Sequence, residues 1–566
     1  MFELYFRISQ MDLNNQLNHF QLQQRCMYCC ADISVWFPKC SVSRRRFVRS
    51  FPIACSLEVS GVHGQRRVTS SLSGPTNSER SNIFDDNSMN PSASSTNDLE
   101  RQLEDFFNEI KVMIKMGKED DAVNLLKANY VAIKEQVDSG AHGIEEAAVL
   151  DVIALGYMAL GDLRAVGSLM DMLYKIVNGI KDEELLLDSI LMHMGSMYAK
   201  LEKYETSISF YRRSLKIMEG KYGNKSSLLC TPLLGLAKVL GTSGKATEAI
   251  ETYQRVITQS EYSRAGEGEE LVVPLCALGD LLMKEGRASD AEKPFTRVLD
   301  IYTRSYGEKD GRVGMAMCSL AKVKCAKGNV NEAIDLYKKA IQILEESKYV
   351  ALDDKVMEKM RIDLAELLHV VGRGEEGRTL LEECLLISEK FNGKDHPNLV
   401  PHLANLATSY SRSKNFVEAE RLLRKSLQIV METMPPDDPS ITFPMLHLAV
   451  VLYNLHHDEE AERLALDVLR IREKAFGKES LPVGEALDCL VSIQSRLEKD
   501  DTELVELLKK ILKIQDKSFG PESEEVMETL KKIVHYLDKM GMKNEKYPFQ
   551  RRLSVLKNKR KQMVMY

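Results

Sequence analysis

Three glycines near the middle of the chain have the spacing G-x-G-x-x-G, which lets a backbone approach the pyrophosphate of a dinucleotide. They are Gly372, Gly374 and Gly377, in the stretch LLHVVGRGEEGRTLLEECL at 367–385. Asp395 follows at a distance suitable for an acidic residue that contacts a ribose. This chemistry also needs a β-strand before the first glycine, so that the next helix directs its N-terminus at the phosphates. The surrounding elements therefore decide what the motif does.

Histidines beside acidic residues are the other candidates for chemistry. Asp395 and His396, with His402 nearby, could suggest an acid–base pair, but adjacent loop residues are poorly placed to share a proton. Similar loops elsewhere, GEKDGRV, GKESLPV and GPESEEV, contain no histidine. His456 and His457 have no further metal ligands close by in the sequence. Since no other catalytic, phosphate-binding or metal-binding spacing occurs, we expect no catalytic residue, no metal and no cofactor.

The cysteines do not form a metal motif. Five of them, including Cys55, crowd near the start of the chain, and the first four could suggest a metal cluster. The second C-x-x-C of a zinc ribbon is missing, so zinc is not expected. Six others are scattered singly among Leu and Ala, as is usual for small core residues in a reducing compartment. The first four are Cys26, Cys29, Cys30 and Cys40, and the six others are Cys230, Cys276, Cys318, Cys325, Cys384 and Cys489.

The composition favours a mostly helical protein without a strong overall field. The 566 residues are 44% hydrophobic and 28% charged, with one Trp and a net charge of -6. A charge this small for the length does not steer the chain to nucleic acid or to an anionic membrane. The long apolar stretch FPMLHLAVVLYNL at 443–455 is too short to span a bilayer. We therefore predict no transmembrane helix.

The first part of the sequence has the composition of a targeting segment. Residues 1–80 contain ten Lys or Arg, five Asp or Glu and eleven Ser. An Arg- and Ser-rich, acid-poor leader is typical of organelle transit peptides. We predict a transit peptide over 1–56, most consistent with a chloroplast, and a disordered linker rich in Ser, Asn, Pro and Gly over 57–97. Mitochondrion, cytoplasm and nucleus are the alternative compartments.

From about residue 98 onward, two markers repeat in one register. The first is a short stretch with a small residue, and the second is an aromatic residue followed by glycine. The first marker occurs as GKEDDAV (117), GDLRAVG (161), EKYETSI (202), GKATEAI (244), GRASDAE (286), GNVNEAI (328), GRGEEGR (372), KNFVEAE (414) and HHDEEAE (456). The second occurs at Tyr222-Gly223, Tyr306-Gly307, Phe391 to Gly393, Phe476-Gly477 and Phe519-Gly520.

These markers predict antiparallel helix pairs. The first glycine is expected in the left-handed conformation of a tight turn between helix A and helix B. The aromatic residue is expected to pack back at the end of helix B, with the second glycine closing the cap. In LCALGDLLMKEGRASDAEKPFTRVLDIYTRSYG, Gly279 and Ala291 are small where the helices cross, and Phe295 fills the gap beside them. One pair cannot bury such a stripe alone, so neighbouring pairs must stack.

The spacing of small and aromatic residues resembles that of tetratricopeptide repeats (TPR), and the period of about 42 residues is similar to the kinesin light chain type. PHLANLATSYSRSKNFVEAERLLRKSLQI is the stretch most similar to the family pattern. The resemblance covers 98–541. It implies an all-α fold, an α-solenoid forming a right-handed superhelix of about ten to eleven helix pairs. It also implies a non-catalytic protein that binds other proteins.

The repeat changes the interpretation of the glycine motif. Gly372 falls in an A-to-B turn, and Leu364 and Leu368 before it repeat the pattern of helix A. A helix rather than a strand should therefore precede the motif, and we do not expect nucleotide binding. Gly377 stands where six other units have alanine, and glycine inside a helix costs roughly 0.5 to 1 kcal/mol. The sequence predicts that Gly377→Ala stabilises the protein.

The resemblance also indicates a partner-binding groove, because in this family the A helices line the concave face. The family's peptide-gripping Asn is kept at Asn405, and other units have Gly235, Ala277, Ser319, Asp363 and His447 there. The predicted groove residues are Lys238, Asp280, Lys322, Glu366, Asn405 and Arg412.

The C-terminal segment 542–566 is basic and is predicted to be a helix that covers the last repeat. Its basic side chains could alternatively contact RNA phosphates, although no aromatic residue is interleaved among them. They are Arg551, Arg552, Lys557, Lys559, Arg560 and Lys561. We expect a scaffold or assembly factor for other proteins in the chloroplast. The alternatives are a cytosolic transport adaptor similar to kinesin light chains and an RNA-associated protein; the oligomeric state is left open.

Overall fold

The computed structural model describes residues 92–140, 142–263 and 268–564. The described residues form 22 α-helices joined by short turns, and no β-strand is found among them. The predicted transit peptide and the cysteines near the start lie outside the described residues, as does most of the predicted linker. Helix α1 begins at Ser92, so it includes the last residues assigned to the linker.

The chain divides into two bodies, and the division falls within α10. The described part of the N-terminal body ends at Ile301, and the C-terminal body continues from Tyr302. The helices up to the division are α1 Ser92–Lys115, α2 Glu119–Asp138, α3 Ile144–Ala159, α4 Leu163–Gly179, α5 Leu187–Lys200, α6 Tyr204–Tyr222, α7 Cys230–Thr242, α8 Ala246–Ser263, α9 Val272–Lys284 and α10 Ala288–Tyr306.

The C-terminal body continues the same alternation of A helices, with odd numbers, and B helices, with even numbers. Its helices are α11 Gly311–Ala326, α12 Val330–Ser347, α13 Lys355–Val370, α14 Gly374–Asn392, α15 Leu399–Arg412, α16 Phe416–Thr433, α17 Thr442–Asn454, α18 Asp458–Phe476, α19 Leu481–Arg496, α20 Asp501–Ser518, α21 Glu524–Lys539 and α22 Lys543–Val564. Repeating helix pairs of this kind define an all-α fold, an α-solenoid, as the sequence predicted.

Every turn from an A helix to its B helix contains a residue with positive φ, which confirms the predicted turn conformation. Glycine takes this place in seven units, and L-residues take it in four. The glycines are Gly117, Gly161, Gly244, Gly286, Gly328, Gly372 and Gly541, and the others are Glu202, Lys414, His456 and Glu498. At Gly372 the turn is closed because the backbone N–H of Arg373 donates to the carbonyl of Leu368 at 2.7 Å. The turn geometry is therefore constant although its residue type is not.

Exchanging residue types at two of these turns should move stability in opposite directions. Lys414 has φ +61 and Gly372 has φ +81, and an L-residue in the left-handed region is strained by about 1 kcal/mol. We expect Lys414→Gly to raise the free energy of unfolding by up to about 1 kcal/mol. Gly372→Ala should lower it by a similar amount. Urea unfolding followed by circular dichroism measures both, and an equal sign for the two changes would contradict the prediction.

The prediction for the second marker, an aromatic residue followed by glycine, is confirmed for the glycine but not for the aromatic residue. Its glycines have positive φ, as at Gly223 (+80) and Gly477 (+82), but four of the five aromatic side chains are exposed, and only Phe519 is half-buried. Tyr222 is 46% exposed and Phe391 is 55% exposed. The reason is helix length, because α6 has 19 residues whereas the neighbouring α5 and α7 have 14 and 13. The last turn of such a B helix extends beyond the helices that could cover it.

Glycines allow the closest contacts in the N-terminal body. A Cβ atom at Gly279 would lie 2.6 Å from the Phe295 ring, so the predicted crossing of small residue and ring is confirmed. Tyr211 of α6 has a glycine on each side. A Cβ at Gly195 in α5 would lie 2.8 Å from its ring, and one at Gly235 in α7 would lie 2.6 Å from it. The ring thus fills the space between two successive A helices.

The most apolar helix of the C-terminal body is α17. Ten of its thirteen residues are buried, because α17 contacts the A helices α15 and α19 as well as the B helices α16 and α18. This explains the continuous apolar stretch at 443–455. Within the described ranges, no helix is long and apolar enough to cross a membrane.

Candidate functional site

The glycine motif lies at the junction of α13 and α14. A helix precedes Gly372, and Gly374 is the first residue of the next helix. The strand that a dinucleotide site requires is therefore not present at this position. The first glycine makes the turn, and the other two must have a different structural role.

Gly374 and Gly377 make room for the imidazole of His369. A Cβ atom at Gly374 would lie 2.8 Å from His369 Nδ1, and one at Gly377 would lie 3.3 Å from His369 Cδ2. On its other side, His369 Nε2 is hydrogen-bonded to Ser409 Oγ at 2.9 Å. Burial, with smaller effects of the guanidiniums of Arg412 and Arg378, lowers the pKa of His369 to about 4. The motif therefore holds a neutral histidine between α13, α14 and α15.

The predicted stabilisation by Gly377→Ala is wrong on this geometry. A methyl group there would lie 2.7 Å from the backbone carbonyl oxygen of Ala365, so the two helices would have to separate. We expect Gly377→Ala to lower the free energy of unfolding by about 1 to 3 kcal/mol.

The matched control is Gly167→Ala in α4, also inside a helix, where an added Cβ meets nothing within 4 Å. That change should stabilise by roughly 0.5 to 1 kcal/mol. Urea unfolding of both variants tests the contrast. A stabilised Gly377→Ala protein would show that α13 and α14 move apart easily.

Two of the other histidine candidates, His396 and His402, contact neighbouring residues of the chain. The loop residue His396 is exposed, and its Nδ1 accepts a hydrogen bond from the backbone N–H of Asn398 at 3.2 Å. His402 is buried in α15, 3.8 Å from the carboxylate of Glu358. Burial lowers the pKa of His402, and Glu358 partly opposes this shift. In the part of the chain that the structure covers, no group of three or more His, Cys, Asp or Glu could hold a metal ion.

Two predicted groove residues lie in the N-terminal body. Lys238 in α7 and Asp280 in α9 are exposed at matching positions of successive A helices. Burial, with a smaller effect of Asp280, raises the pKa of Cys276 to about 11. The Asp280 carboxylate is therefore close to that thiol, and the thiol stays protonated at neutral pH.

The other four predicted groove residues lie in the C-terminal body. Lys322 in α11 is exposed, whereas Glu366, Asn405 and Arg412 are half-buried. Burial raises the pKa of Glu366, and the charges of Lys359 and, less strongly, Arg412 oppose this shift. At the matching positions of the next two units, Thr408 and Val450 are buried.

The inward faces of the A helices are therefore not uniformly open. They close where α15, α17 and α19 pack on one another. The apolar sequence of α17 was the signal for this closure, since a helix that is apolar all round is buried all round.

A buried polar pair escaped the sequence analysis. His193 in α5 is at the position matching Asn405, and Asp151 in α3 is one residue before the matching position; Asp151 Oδ2 lies 2.6 Å from His193 Nδ1. Both side chains are buried. Burial raises the pKa of Asp151, and His193 opposes this shift. The pair joins two successive A helices, and its spacing of one repeat was the signal in the sequence.

The basic C-terminal side chains partly neutralise acids of the same protein. Arg552 Nη1 lies 2.9 Å from Asp516 Oδ2, and Lys559 Nζ lies 2.5 Å from Glu522 Oε1. Arg551 and Lys557 are exposed, and the side chains of the last two basic residues lie outside the described ones.

Helix α22 has polar residues on its outward face. Gln550 and Ser554 are exposed, whereas the matching residues of α20, Leu508 and Leu512, are buried by the next helix pair. A polar face is what a terminal repeat needs when no further repeat covers it.

Family models of the tetratricopeptide repeat match residues 186–261, 271–346 and 357–432, and a further one matches 445–481. These stretches coincide with successive helix pairs of the two bodies. The chain therefore carries tetratricopeptide repeats, a fold that serves as a scaffold for interactions between proteins.

Solved structures similar to the chain include the nearly identical TPR-like repeats of a Podosopora anserina kinesin light chain. That structure is 21% identical, covers 37% of this chain and 98% of its own, and has a TM-score of 0.34. BtubC (BKLC) from P. vanneervenii is 19% identical, covers 41% and 91%, and has a TM-score of 0.34.

Two curated relatives share one segment with the chain. The Clustered mitochondria protein homologs of Culex quinquefasciatus and Aedes aegypti are each 24% identical to it over 161 residues, which is 28% of this chain. The match spans only 12% and 11% of the length of those proteins.

Proposed function

We propose that the protein is a non-catalytic scaffold or assembly factor that captures an extended peptide or a helix of a partner protein along its A helices. The observation that carries this proposal is the exposure of polar side chains at matching A-helix positions, as at Lys238 and Lys322. Neither lysine has an ion pair within the described ranges, so both amines are available to a partner. Repeat arrays bind partners along faces of this kind.

Charge reversal tests the proposal. Lys238→Glu and Lys322→Glu should each reduce the recovery of specific partners in affinity purification at least tenfold, because each places a like charge opposite an acidic group of the partner. The matched controls, Lys293→Glu and Lys339→Glu, change exposed lysines of the B helices α10 and α12. If the A-helix and B-helix variants recover the same proteins, binding does not use the A helices.

We further propose that the protein works in the chloroplast, on the basis of the Arg- and Ser-rich leader. Fusing residues 1–80 to a fluorescent protein in leaf cells tests this directly. Chloroplast fluorescence is expected. Mitochondrial fluorescence would show that the compartment is the mitochondrion and not the chloroplast. Cytoplasmic fluorescence would favour the transport-adaptor alternative.

A further inference from the structure

Arg378, in the first turns of α14, is an arginine without a carboxylate partner. Its guanidinium lies over the ring of Tyr410, 4.4 Å from the centroid, and its Nη2 donates to Ser413 Oγ at 2.6 Å. Its Nε is buried and has no hydrogen-bond acceptor in the structure. No carboxylate of the described residues lies within ion-pair distance of it. A half-buried guanidinium left in this state is only partly satisfied.

A second stacked arginine in the same body shows the complete arrangement. The guanidinium of Arg496 lies 3.3 Å from the centroid of the Tyr453 ring. Its Nε donates to Asp458 Oδ2 at 2.9 Å, and its Nη2 contacts the other oxygen of the same carboxylate. Arg496 therefore has an aromatic face and a bidentate anion. Arg378 has the aromatic face and a hydroxyl group in place of the anion.

A further cation is close to Arg378. Both Arg378 and Arg412 lower the pKa of His369, so their guanidiniums lie near the same imidazole. Arg412 also interacts with Glu366. Glu382, one turn after Arg378, accepts a hydrogen bond from the Tyr410 hydroxyl at 3.1 Å and makes no ion pair with Arg378. Arg412 is also the last residue of α15 and directly precedes Ser413, so its backbone lies next to the hydroxyl group that Arg378 contacts.

We propose that Arg378, Arg412 and Ser413 bind a phosphoryl group carried by a partner protein. A phosphate monoester bears nearly two negative charges at neutral pH and accepts several hydrogen bonds, which suits two guanidiniums better than a single carboxylate does. The site lies beside the predicted groove residue Arg412. This proposal rests on the proposed function in one respect only, namely that the molecule carrying the phosphate is a partner protein.

Calorimetric titration of the full chain with inorganic phosphate and with O-phosphoserine, at constant ionic strength, tests the site. Ser413→Asp places a carboxylate beside Arg378 and so reproduces the pairing of Arg496 with Asp458. We expect it to weaken binding of both probes at least tenfold without lowering the thermal midpoint. Ser413→Asn, which removes the hydroxyl group but adds no charge, should bind both probes at least threefold more tightly than Ser413→Asp. Arg378→Gln should also weaken the binding of both probes at least tenfold.

Three results would overturn the proposal. The wild type would bind neither probe, Ser413→Asp would bind phosphate as well as Ser413→Asn, or glutarate would bind as tightly as O-phosphoserine. The last result would make this a carboxylate site. Failure here would leave the charge-reversal result at Lys238 and Lys322 unaffected, and failure of that experiment would not alter phosphate binding by the isolated chain.

Discussion

Gly235→Ala is expected to lower the free energy of unfolding by about 2 to 3 kcal/mol, although it adds a single methyl group. The new Cβ would lie 2.6 Å from the ring of Tyr211, and the ring cannot move away because Gly195 lies against its opposite edge. Tyr211 is buried, so relief would require α5 or α7 to shift. Overpacking of this kind forces backbone movement.

Gly220→Ala is the matched control for this prediction. It lies in α6 with Tyr211, but an added Cβ meets nothing within 4 Å, so the change should stabilise by roughly 0.5 to 1 kcal/mol. Thermal and urea unfolding measure both variants. The double variant Gly235→Ala with Tyr211→Leu should lose less free energy of unfolding than the two single variants lose together. Strict additivity of the two changes would show that the ring is not what opposes the methyl group.

Acidification is expected to unfold the C-terminal body through His447. This side chain is 1% exposed in α17, and burial, with a smaller effect of Arg472, lowers its pKa to about 3. In the unfolded chain the pKa is about 6.5, so the unfolded state takes up the proton first. The stabilising contribution is complete above about pH 6.5 and is lost as the pH falls toward about 3. It amounts to at most about 5 kcal/mol.

The test is the urea midpoint between pH 7 and pH 4. His447→Gln should lower the midpoint at pH 7, because the ring packs 4.4 Å from that of Phe443, but it should flatten the decrease toward pH 4. His457→Gln changes an exposed histidine and should leave the decrease as in the wild type. An unchanged pH dependence in His447→Gln would mean that other groups control the acid transition, of which His369 and His402 are the first to examine.

Much of the fold could be predicted because it depends on local and periodic features. Gly244 and Gly286 mark their turns since a tight helix–helix turn needs a left-handed residue, and glycine adopts that conformation most easily. The crossing of Gly279 and Phe295 follows from helical spacing within one pair. The exposure of Phe391 could not be predicted in this way, because it depends on how far one helix extends past its neighbours.

The candidate site was predictable only in part. The sequence predicted Lys238 and Lys322 on the A helices, where both are exposed. It did not predict the burial of Thr408 and Val450, since this depends on how closely successive A helices approach one another. Nor did it predict the surroundings of Arg378, whose stacking and hydrogen-bond partners come from the next repeat.

The sequence alone identified the repeat, the turns and the absence of a strand before Gly372, because these follow from residue types at fixed spacings along one helix pair. Only the tertiary structure decided the role of Gly377, whose methyl-free backbone lies against the carbonyl of Ala365. Only the tertiary structure showed that Arg378 stacks on Tyr410 without a carboxylate partner. Both outcomes depend on distances of a few ångströms between helices, and residue spacing along the chain does not specify such distances.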